Sequence, residues 1–150
     1  MIVSADAVFL DTNVLVYATV AESPWHEAAS QAIQIRQDAG IELWISRQII
    51  REYLSAMTRP QAFPQPVPVA NLVRETRLLE SRFRIAEDSS DVTARLLDLV
   101  EWIPTGGAQI HDANIIATMQ TYGVHNLLTH NIADFARFAH LVVVIPLLEP

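Results

Sequence analysis

The sequence contains neither cysteine nor lysine. Without cysteine there are no disulfides, no thiolate nucleophiles and no sulfur-ligated zinc sites. A long hydrophobic run is also missing, because no segment approaches the roughly 18 apolar residues that a membrane-spanning helix needs. The N-terminal segment lacks the positively charged start of a secretory signal peptide. These absences predict a cytoplasmic protein with no membrane segment and no cysteine-based chemistry.

The composition is that of a folded globular chain. It is 51% hydrophobic and 18% charged, which excludes an intrinsically disordered protein. At 150 residues the chain has the length of one ordinary domain and can bury a sizeable core. We therefore expect a single domain over residues 1–150.

The charge balance is acidic, with ten basic and seventeen acidic residues and a net charge of −7. This excess argues against nucleic acid as a partner, since neutralised phosphates supply much of that affinity. The objection weakens if up to four of the acids bind metal. It also weakens because every basic residue is arginine, which binds phosphate in a bidentate manner better than lysine does. Several arginines cluster mid-chain, where they either meet phosphate or pair with Glu75, Glu80 and Glu87 on solvated helices. They are Arg47, Arg51, Arg59, Arg74, Arg77, Arg82 and Arg84.

Short β-rich runs alternate with helical segments along the chain. Strands are predicted at residues 8–10, 41–45, 83–86, 126–129 and 141–145. Helices are predicted at about 13–20, 24–38, 47–57, 69–80, 90–101, 112–122 and 132–138, with caps at Ser23, Ser46 and 88–90. A loop at 58–68 holds four of the eight prolines. The alternation predicts a parallel sheet of about five strands, covered by helices on both faces.

Four acidic residues lie where such a fold gathers side chains at one edge: Asp11, Glu52, Asp112 and Asp134. Open α/β sheets bind ligands at the carboxyl ends of their strands, and Asp11 directly follows the first strand. Converging carboxylates repel one another unless a divalent cation neutralises them. A metal held by carboxylates and water suits phosphodiester hydrolysis. The hypothesis is therefore a hydrolytic site with a hard cation such as Mg²⁺ or Mn²⁺.

Each carboxylate also has a purely structural interpretation. Asp11 can cap the helix that follows it, and Glu52 can be a solvated helix residue because it lies off the apolar stripe. Asp112 can be an N-cap after the preceding glycines, although it shares a helix face with apolar residues. Asp134 can return a bond to the backbone of Asn131 in a capping box. Taken singly, these residues leave the choice open.

Polar neighbours of the acids supply further candidates for contacts around the metal or with substrate. Residues beside a metal ligand orient it or the bound water, and a histidine flanking an acidic motif can touch a phosphate. No two of the five histidines are spaced at i, i+4, so a zinc site is not expected. The candidates are Thr12, Asn13, Thr129, Asn131 and His111.

The four acidic motifs, in this order and spacing, resemble the PIN domain, and most closely the VapC-type toxins of toxin–antitoxin pairs. "FLDTNVLVYA" resembles the family's opening strand and helix, and "SPWHEAA" the start of its second helix. "WISRQIIREYLSAMTRP" with the following "QAFPQPVP" is similar to the second acidic motif. "GGAQIHDANIIATMQTYGVHNLLTHNIADFARF" is similar to the last two. The resemblance extends from about Val8 to Val144.

This resemblance implies a three-layer α/β/α sandwich around a parallel sheet. It implies an endoribonuclease toxin that depends on Mg²⁺ or Mn²⁺, with Asp11, Glu52 and Asp112 as metal ligands and catalytic residues. Asp134 or Asn131 would fill the fourth, more variable position of the catalytic set. An RNA substrate, a homodimer and a cognate antitoxin whose C-terminal segment enters the active-site groove are also implied.

One residue departs from the family pattern. Many relatives carry a basic residue after the glycines that precede "HD", where this chain has Ala108. The departure calls one phosphate contact into question, though not the metal site.

Two alternatives stand beside the toxin hypothesis. One is a PIN-fold nuclease outside a toxin system, acting in RNA processing or on single-stranded DNA, and the other is a catalytically inactive α/β binding module.

Overall fold

The computed structural model describes residues 2–59 and 67–148. Its five strands form one sheet in which every neighbouring pair is parallel. They are β1 (Val8–Leu10), β2 (Leu43–Ser46), β3 (Arg84–Ala86), β4 (Asn126–Thr129) and β5 (Val143–Pro146). The order across the sheet is β3-β2-β1-β4-β5. The predicted parallel sheet of five strands is thus confirmed.

Helices connect the strands and complete a three-layer α/β/α sandwich. They are α1 (Thr12–Thr19), α2 (His26–Asp38), α3 (Arg47–Met57), α4 (Val69–Arg82), α5 (Ser90–Trp102) and α6 (Gln109–Tyr122), with a 3₁₀ helix over Ile132–Phe138. Helix α1 packs against α2 and α3, while α5 packs against α6. Within the described ranges, no helix is both long enough and apolar enough to cross a bilayer.

The sheet lies between helical layers, and its three middle strands are largely buried while the edge strands β3 and β5 are partly exposed. All three residues of β1 are buried, and Phe9, Trp44 and Leu127 are among the fully enclosed side chains of the core. Strands β1 and β4 are neighbours, and the backbone N–H of Asp11 donates to the carbonyl of Leu128 at 3.0 Å. Their carboxyl ends therefore lie side by side at one edge of the sheet.

Most predicted elements are confirmed within a few residues, and two helix starts differ. Helix α2 begins at His26 rather than at Pro24, because the Ser23 hydroxyl accepts from the Trp25 backbone at 3.1 Å and closes a turn first. Helix α6 begins at Gln109, three residues before the predicted start, after a turn in which Gly107 adopts a φ of 59°. The predicted loop at 58–68 lies largely outside the described residues.

Candidate active site

The structure brings the four predicted carboxylates together in one open cleft of about 540 Å³ at the carboxyl edge of the sheet. Asp11 follows β1, Glu52 lies on α3, Asp112 lies in the first turn of α6, and Asp134 lies in the 3₁₀ helix. Other polar candidates share this lining, while Thr129 is buried beneath it. Those in the lining are Thr12, Asn13, His111 and Asn131.

Asp11 is buried and held by neighbouring donors. Its Oδ1 accepts from the Thr12 backbone N–H at 2.8 Å, so it caps α1 while it also lines the cleft. Its Oδ2 accepts from the Thr129 hydroxyl at 2.7 Å and from the Asn13 amide at 3.2 Å. Burial raises the pKa of Asp11, the bonds from Thr129 and Thr12 oppose that rise, and the charges of Glu52 and Asp134 add to it.

Thr129 and Asn13 connect the end of β4 to the start of α1. The Thr129 side chain is fully buried, and its hydroxyl accepts from the Asn131 backbone N–H at 3.0 Å. The side-chain Oδ1 of Asn13 accepts from the His130 backbone N–H at 3.1 Å. The N–H of Asn131 thus bonds to Thr129 rather than to Asp134, and the capping-box interpretation of Asp134 is wrong. Asn13 and Thr129 instead orient Asp11.

Glu52 is partly buried, and both of its carboxylate oxygens accept hydrogen bonds. Oε1 accepts from the Thr12 hydroxyl at 2.9 Å, and Oε2 accepts from the Gln48 amide at 2.8 Å. The interpretation of Glu52 as a solvated helix residue is therefore wrong. Thr12 donates its backbone N–H to Asp11 and its hydroxyl to Glu52, which ties the two carboxylates to one residue.

Gln48 is a site residue that the sequence reasoning missed. It is buried, and its Nε2 donates both to Glu52 and to the carbonyl oxygen of His111, the latter at 2.9 Å. Its Oε1 accepts from the Asn114 amide at 2.7 Å. Gln48 thereby links α3 to α6 and fixes Glu52 relative to the helix that carries Asp112. In the sequence, only its i, i+4 spacing from Glu52 indicates that the two side chains can meet.

Asp112 lies in the first turn of α6 but is not its cap, because Ala108 is the N-cap residue. The interpretation of Asp112 as an N-cap is thus wrong. Burial raises the pKa of Asp112 to about 6, the charges of Asp134, Asp11 and Glu52 add to the rise, and His111 opposes it. Within the described ranges, no residue donates a hydrogen bond to its carboxylate. Ionisation of Asp112 therefore lowers the free energy of unfolding.

Asp134 is exposed at the mouth of the cleft. Its backbone N–H donates to the Asn131 carbonyl at 3.1 Å and closes the first turn of the 3₁₀ helix. No hydrogen bond to its carboxylate comes from the part of the chain that the structure describes. Its charge contributes to the raised pKa values of both Asp11 and Asp112.

The donor chemistry of the cleft fits a hard divalent cation. Among the described residues, no three acidic or histidine side chains are arranged to hold a metal ion as they stand. Mg²⁺, however, keeps several water ligands and binds proteins through one or two carboxylates. Burial raises the pKa values of Asp11 and Asp112, repulsion from the other carboxylates adds to both, and a cation would relieve that repulsion. The residues therefore fit an ion bound partly through water.

An acidic cleft at the carboxyl edge of a five-stranded parallel sheet defines a class of α/β proteins with a polar ligand site at the strand ends. A sequence model of the PIN domain matches residues 8–141. The chain belongs to the PIN domain family.

Solved structures with this fold cover nearly the whole chain. A toxin–antitoxin complex from Klebsiella pneumoniae is 25% identical with a TM-score of 0.66, covering 96% of this chain and 99% of that one. VapC20 of Mycobacterium tuberculosis, a sarcin–ricin-loop-cleaving toxin, is 17% identical with a TM-score of 0.65, covering 96% and 100%. FitAcB of Neisseria gonorrhoeae is 20% identical with a TM-score of 0.66, covering 93% and 97%. A search of curated proteins finds no match.

Proposed function

We propose that the protein is a metal-dependent endoribonuclease, the VapC-type toxin of a type II toxin–antitoxin pair. The observation that carries the proposal is the gathering of four carboxylates from four separate segments in one cleft at the sheet edge. Membership of the PIN domain family supports it. So do toxin–antitoxin proteins among the similar structures, one of which is a sarcin–ricin-loop-cleaving toxin. The proposed setting is a cytoplasmic homodimer with a cognate antitoxin.

Asp11, Glu52 and Asp112 are the proposed ligands of Mg²⁺ or Mn²⁺, with Asp134 or Asn131 in the fourth position. When bound, the metal supplies a Lewis acid for the phosphoryl oxygen and lowers the pKa of a water nucleophile. The chain's own contribution is to hold the ligands in place before the ion arrives, which saves reorganisation during the reaction.

The neighbouring polar residues have two proposed roles, to orient the metal ligands and to contact the substrate. Thr12 and Gln48 donate to Glu52 and fix its carboxylate. Thr129 and Asn13 donate to Asp11 in the same way. His111 is exposed in the lining of the cleft, where it can donate to a phosphate oxygen of the substrate.

The direct test is cleavage of total cellular RNA by purified protein with Mg²⁺ or Mn²⁺, followed by addition of EDTA. Cleavage should need the metal, and Asp112→Asn should slow it by more than about a hundredfold because a charged group of the reaction site is lost. Asp98→Asn, an exposed carboxylate on α5, is the matched control and should cleave normally. Cleavage that survives EDTA or Asp112→Asn would overturn the proposal, and mapped cleavage sites would identify the substrate.

The toxin role needs a test in cells. Expression of the unmodified chain should arrest growth, and coexpression of a small antitoxin encoded beside it should relieve the arrest. Expression of Asp112→Asn should have no effect at equal protein level. Absence of arrest together with strong cleavage of single-stranded DNA in vitro would instead identify a nuclease outside a toxin system.

A further inference from the structure

One face of α3 extends the cleft beyond the carboxylates. Glu52, Ser55 and Ala56 of α3 all line the cleft, and their spacing of i, i+3 and i+4 places them on one helix face. Arg59 follows the end of α3 at Met57. It also lines the cleft, beyond the C-terminal end of the helix that carries Glu52. The cleft therefore has an acidic end and a basic end.

The wall between these two ends is largely apolar. Val16 and Tyr17 of α1 face Ala56 of α3 across the cleft. The same three residues and Arg59 also line an adjoining groove of about 480 Å³ that continues past Val20 to the polar residues Glu22 and Ser23. An aromatic and aliphatic wall beside a cation is suited to a single nucleic-acid strand, whose sugars and bases contact the wall while a phosphate meets the charge.

Arg59 differs from the two arginines of α3 in that its side chain has no acidic partner among the described residues. Arg47 pairs with Glu80 at 3.2 Å and Glu87 at 2.8 Å, and Arg51 pairs with Asp88 at 3.3 Å. These pairs agree with the predicted solvated helix faces. The Arg59 backbone N–H donates to the Ala56 carbonyl at 3.4 Å, while its exposed side chain makes no hydrogen bond or ion pair with any residue in the described ranges. Its guanidinium is therefore available to a ligand in the cleft.

The charge of the cleft gives Arg59 its importance. Even with one divalent ion bound, four ionised carboxylates leave a negative charge that repels an RNA backbone. Among the described residues, Arg59 is the only arginine in the lining. Ala108 offers no cation before "HD", so Arg59 is the arginine that the described lining offers to a phosphate.

We propose that Arg59 binds a backbone phosphate of the RNA next to the one that is cleaved. The proposal rests on the proposed ribonuclease function and adds a substrate contact to it. The planar guanidinium binds phosphate through two parallel N–H donors. Because this phosphate is not the reacting one, Arg59 holds the strand in register along the cleft and takes no part in bond cleavage.

Binding is measured in the cleavage-deficient Asp112→Asn background, by fluorescence anisotropy of a short fluorescein-labelled single-stranded RNA over a range of NaCl concentrations. Arg59→Gln should weaken binding by about tenfold at low salt. It should also make the slope of log affinity against log salt shallower by about 0.7, the value for one phosphate contact on a single strand. Arg59→Lys, which keeps the charge but loses the planar fork, should keep the slope and lose only part of the affinity.

Arg77→Gln is the matched control. Arg77 is an exposed arginine of α4 outside the cleft lining, so its loss changes the net charge equally and should change neither affinity nor slope. Circular dichroism of each variant shows that the fold is retained. In the otherwise unmodified enzyme, Arg59→Gln should raise KM about tenfold with little change in kcat, as expected for a contact that is equal in ground and transition states.

Three results would overturn the inference. Equal behaviour of Arg59→Gln and Arg77→Gln, with the unmodified enzyme active on RNA, removes the Arg59 contact and leaves the proposed function intact. If the unmodified chain neither binds nor cleaves RNA, both the Arg59 contact and the proposed ribonuclease function are wrong. An Arg59→Gln variant that binds RNA normally but loses a protein partner shows that the groove holds protein instead.

Discussion

The two sides of the acidic cleft hold their carboxylates in different ways. On the side of α1 and α3, Asp11 and Glu52 each accept hydrogen bonds on both oxygens from neutral donors. On the side of α6 and the 3₁₀ helix, Asp112 and Asp134 accept none from any residue that the structure describes. Hydrogen bonds to an ionised carboxylate stabilise it, while an ionised carboxylate that lacks them and has charged neighbours costs stability. The side with Asp11 and Glu52, here called the framework side, is therefore held by hydrogen bonds. On the side with Asp112 and Asp134, the repulsive side, the carboxylates repel one another until a cation binds.

The largest expected effect tests the framework side. Asp11→Ala removes the cap of α1 and the acceptor of the buried Thr129 hydroxyl. Together these losses should lower the free energy of unfolding by about 2–3 kcal/mol. Urea denaturation in EDTA measures the change. Asp11→Asn, which keeps one carbonyl oxygen as an acceptor, is the conservative control and should lose less. An Asp11→Ala protein as stable as the wild type would mean that the cost of burying the charge, which raises the pKa of Asp11, cancels its hydrogen bonds.

The second effect tests the link between the two sides. Gln48→Leu leaves the His111 carbonyl and the Asn114 amide without their partner and removes one donor from Glu52. The free energy of unfolding should fall by about 1–2 kcal/mol. Mg²⁺ binding, measured by calorimetry, should weaken by about tenfold because the ligands lose their relative position.

Gln34→Leu is the matched control for this change. Gln34 donates to Asp38 at 2.8 Å in the same i, i+4 arrangement, but on the exposed surface of α2. Its replacement should change the free energy of unfolding by less than about 0.5 kcal/mol. Gln48→Leu and Gln34→Leu variants that bind Mg²⁺ equally well would show that Gln48 does not position the site.

The contrast between the two sides also separates what the sequence predicts from what it does not. Asp11 and Thr129 were predictable because each ends a short apolar strand, and parallel strands end at one edge. The hydrogen bond from the Asn114 amide to Gln48 joins residues 66 positions apart, and no local sequence pattern predicts it.

The misplaced interpretations have a common physical cause. Asp112 is a candidate N-cap in the sequence because it follows two glycines, but α6 begins three residues earlier, after a turn at Gly107, and has no side-chain cap. The capping-box interpretation of Asp134 needs the N–H of Asn131, which bonds to Thr129. In both cases the local backbone arrangement, a glycine turn before α6 and a Thr129 acceptor before the 3₁₀ helix, leaves the acid without the capping role that its position suggests.

The third effect has the opposite sign and tests the repulsive side. The pKa of Asp112 is raised to about 6 from 3.8, so its contribution to stability is fully present below pH 3.8 and is lost as the pH rises through about 6. Asp112→Asn mimics the neutral form. In EDTA at pH 7.5 the variant should be more stable than the wild type by about 1 kcal/mol, a value reduced for solvent screening because the group is only partly buried.

The pH dependence is the control for this prediction. The gain in the free energy of unfolding should disappear near pH 4, where wild-type Asp112 is already protonated in the fold. Asp98→Asn, on the exposed surface of α5, serves as the comparison at both pH values. An Asp112→Asn protein that is less stable than the wild type at pH 7.5 would place Asp112 on the framework side with Asp11.

The smallest effect comes from the most exposed carboxylate. Asp134→Asn should change the free energy of unfolding by less than about 0.5 kcal/mol, since the side chain is exposed and accepts no hydrogen bond from the described residues. It should nevertheless lower the pKa of Asp112, because Asp134 is the first of the charges that add to the effect of burial there. An NMR titration of the Asp112 carboxyl carbon without metal measures that pKa. An unchanged value would mean that burial alone raises it, and that the two carboxylates on this side do not act together on an incoming cation.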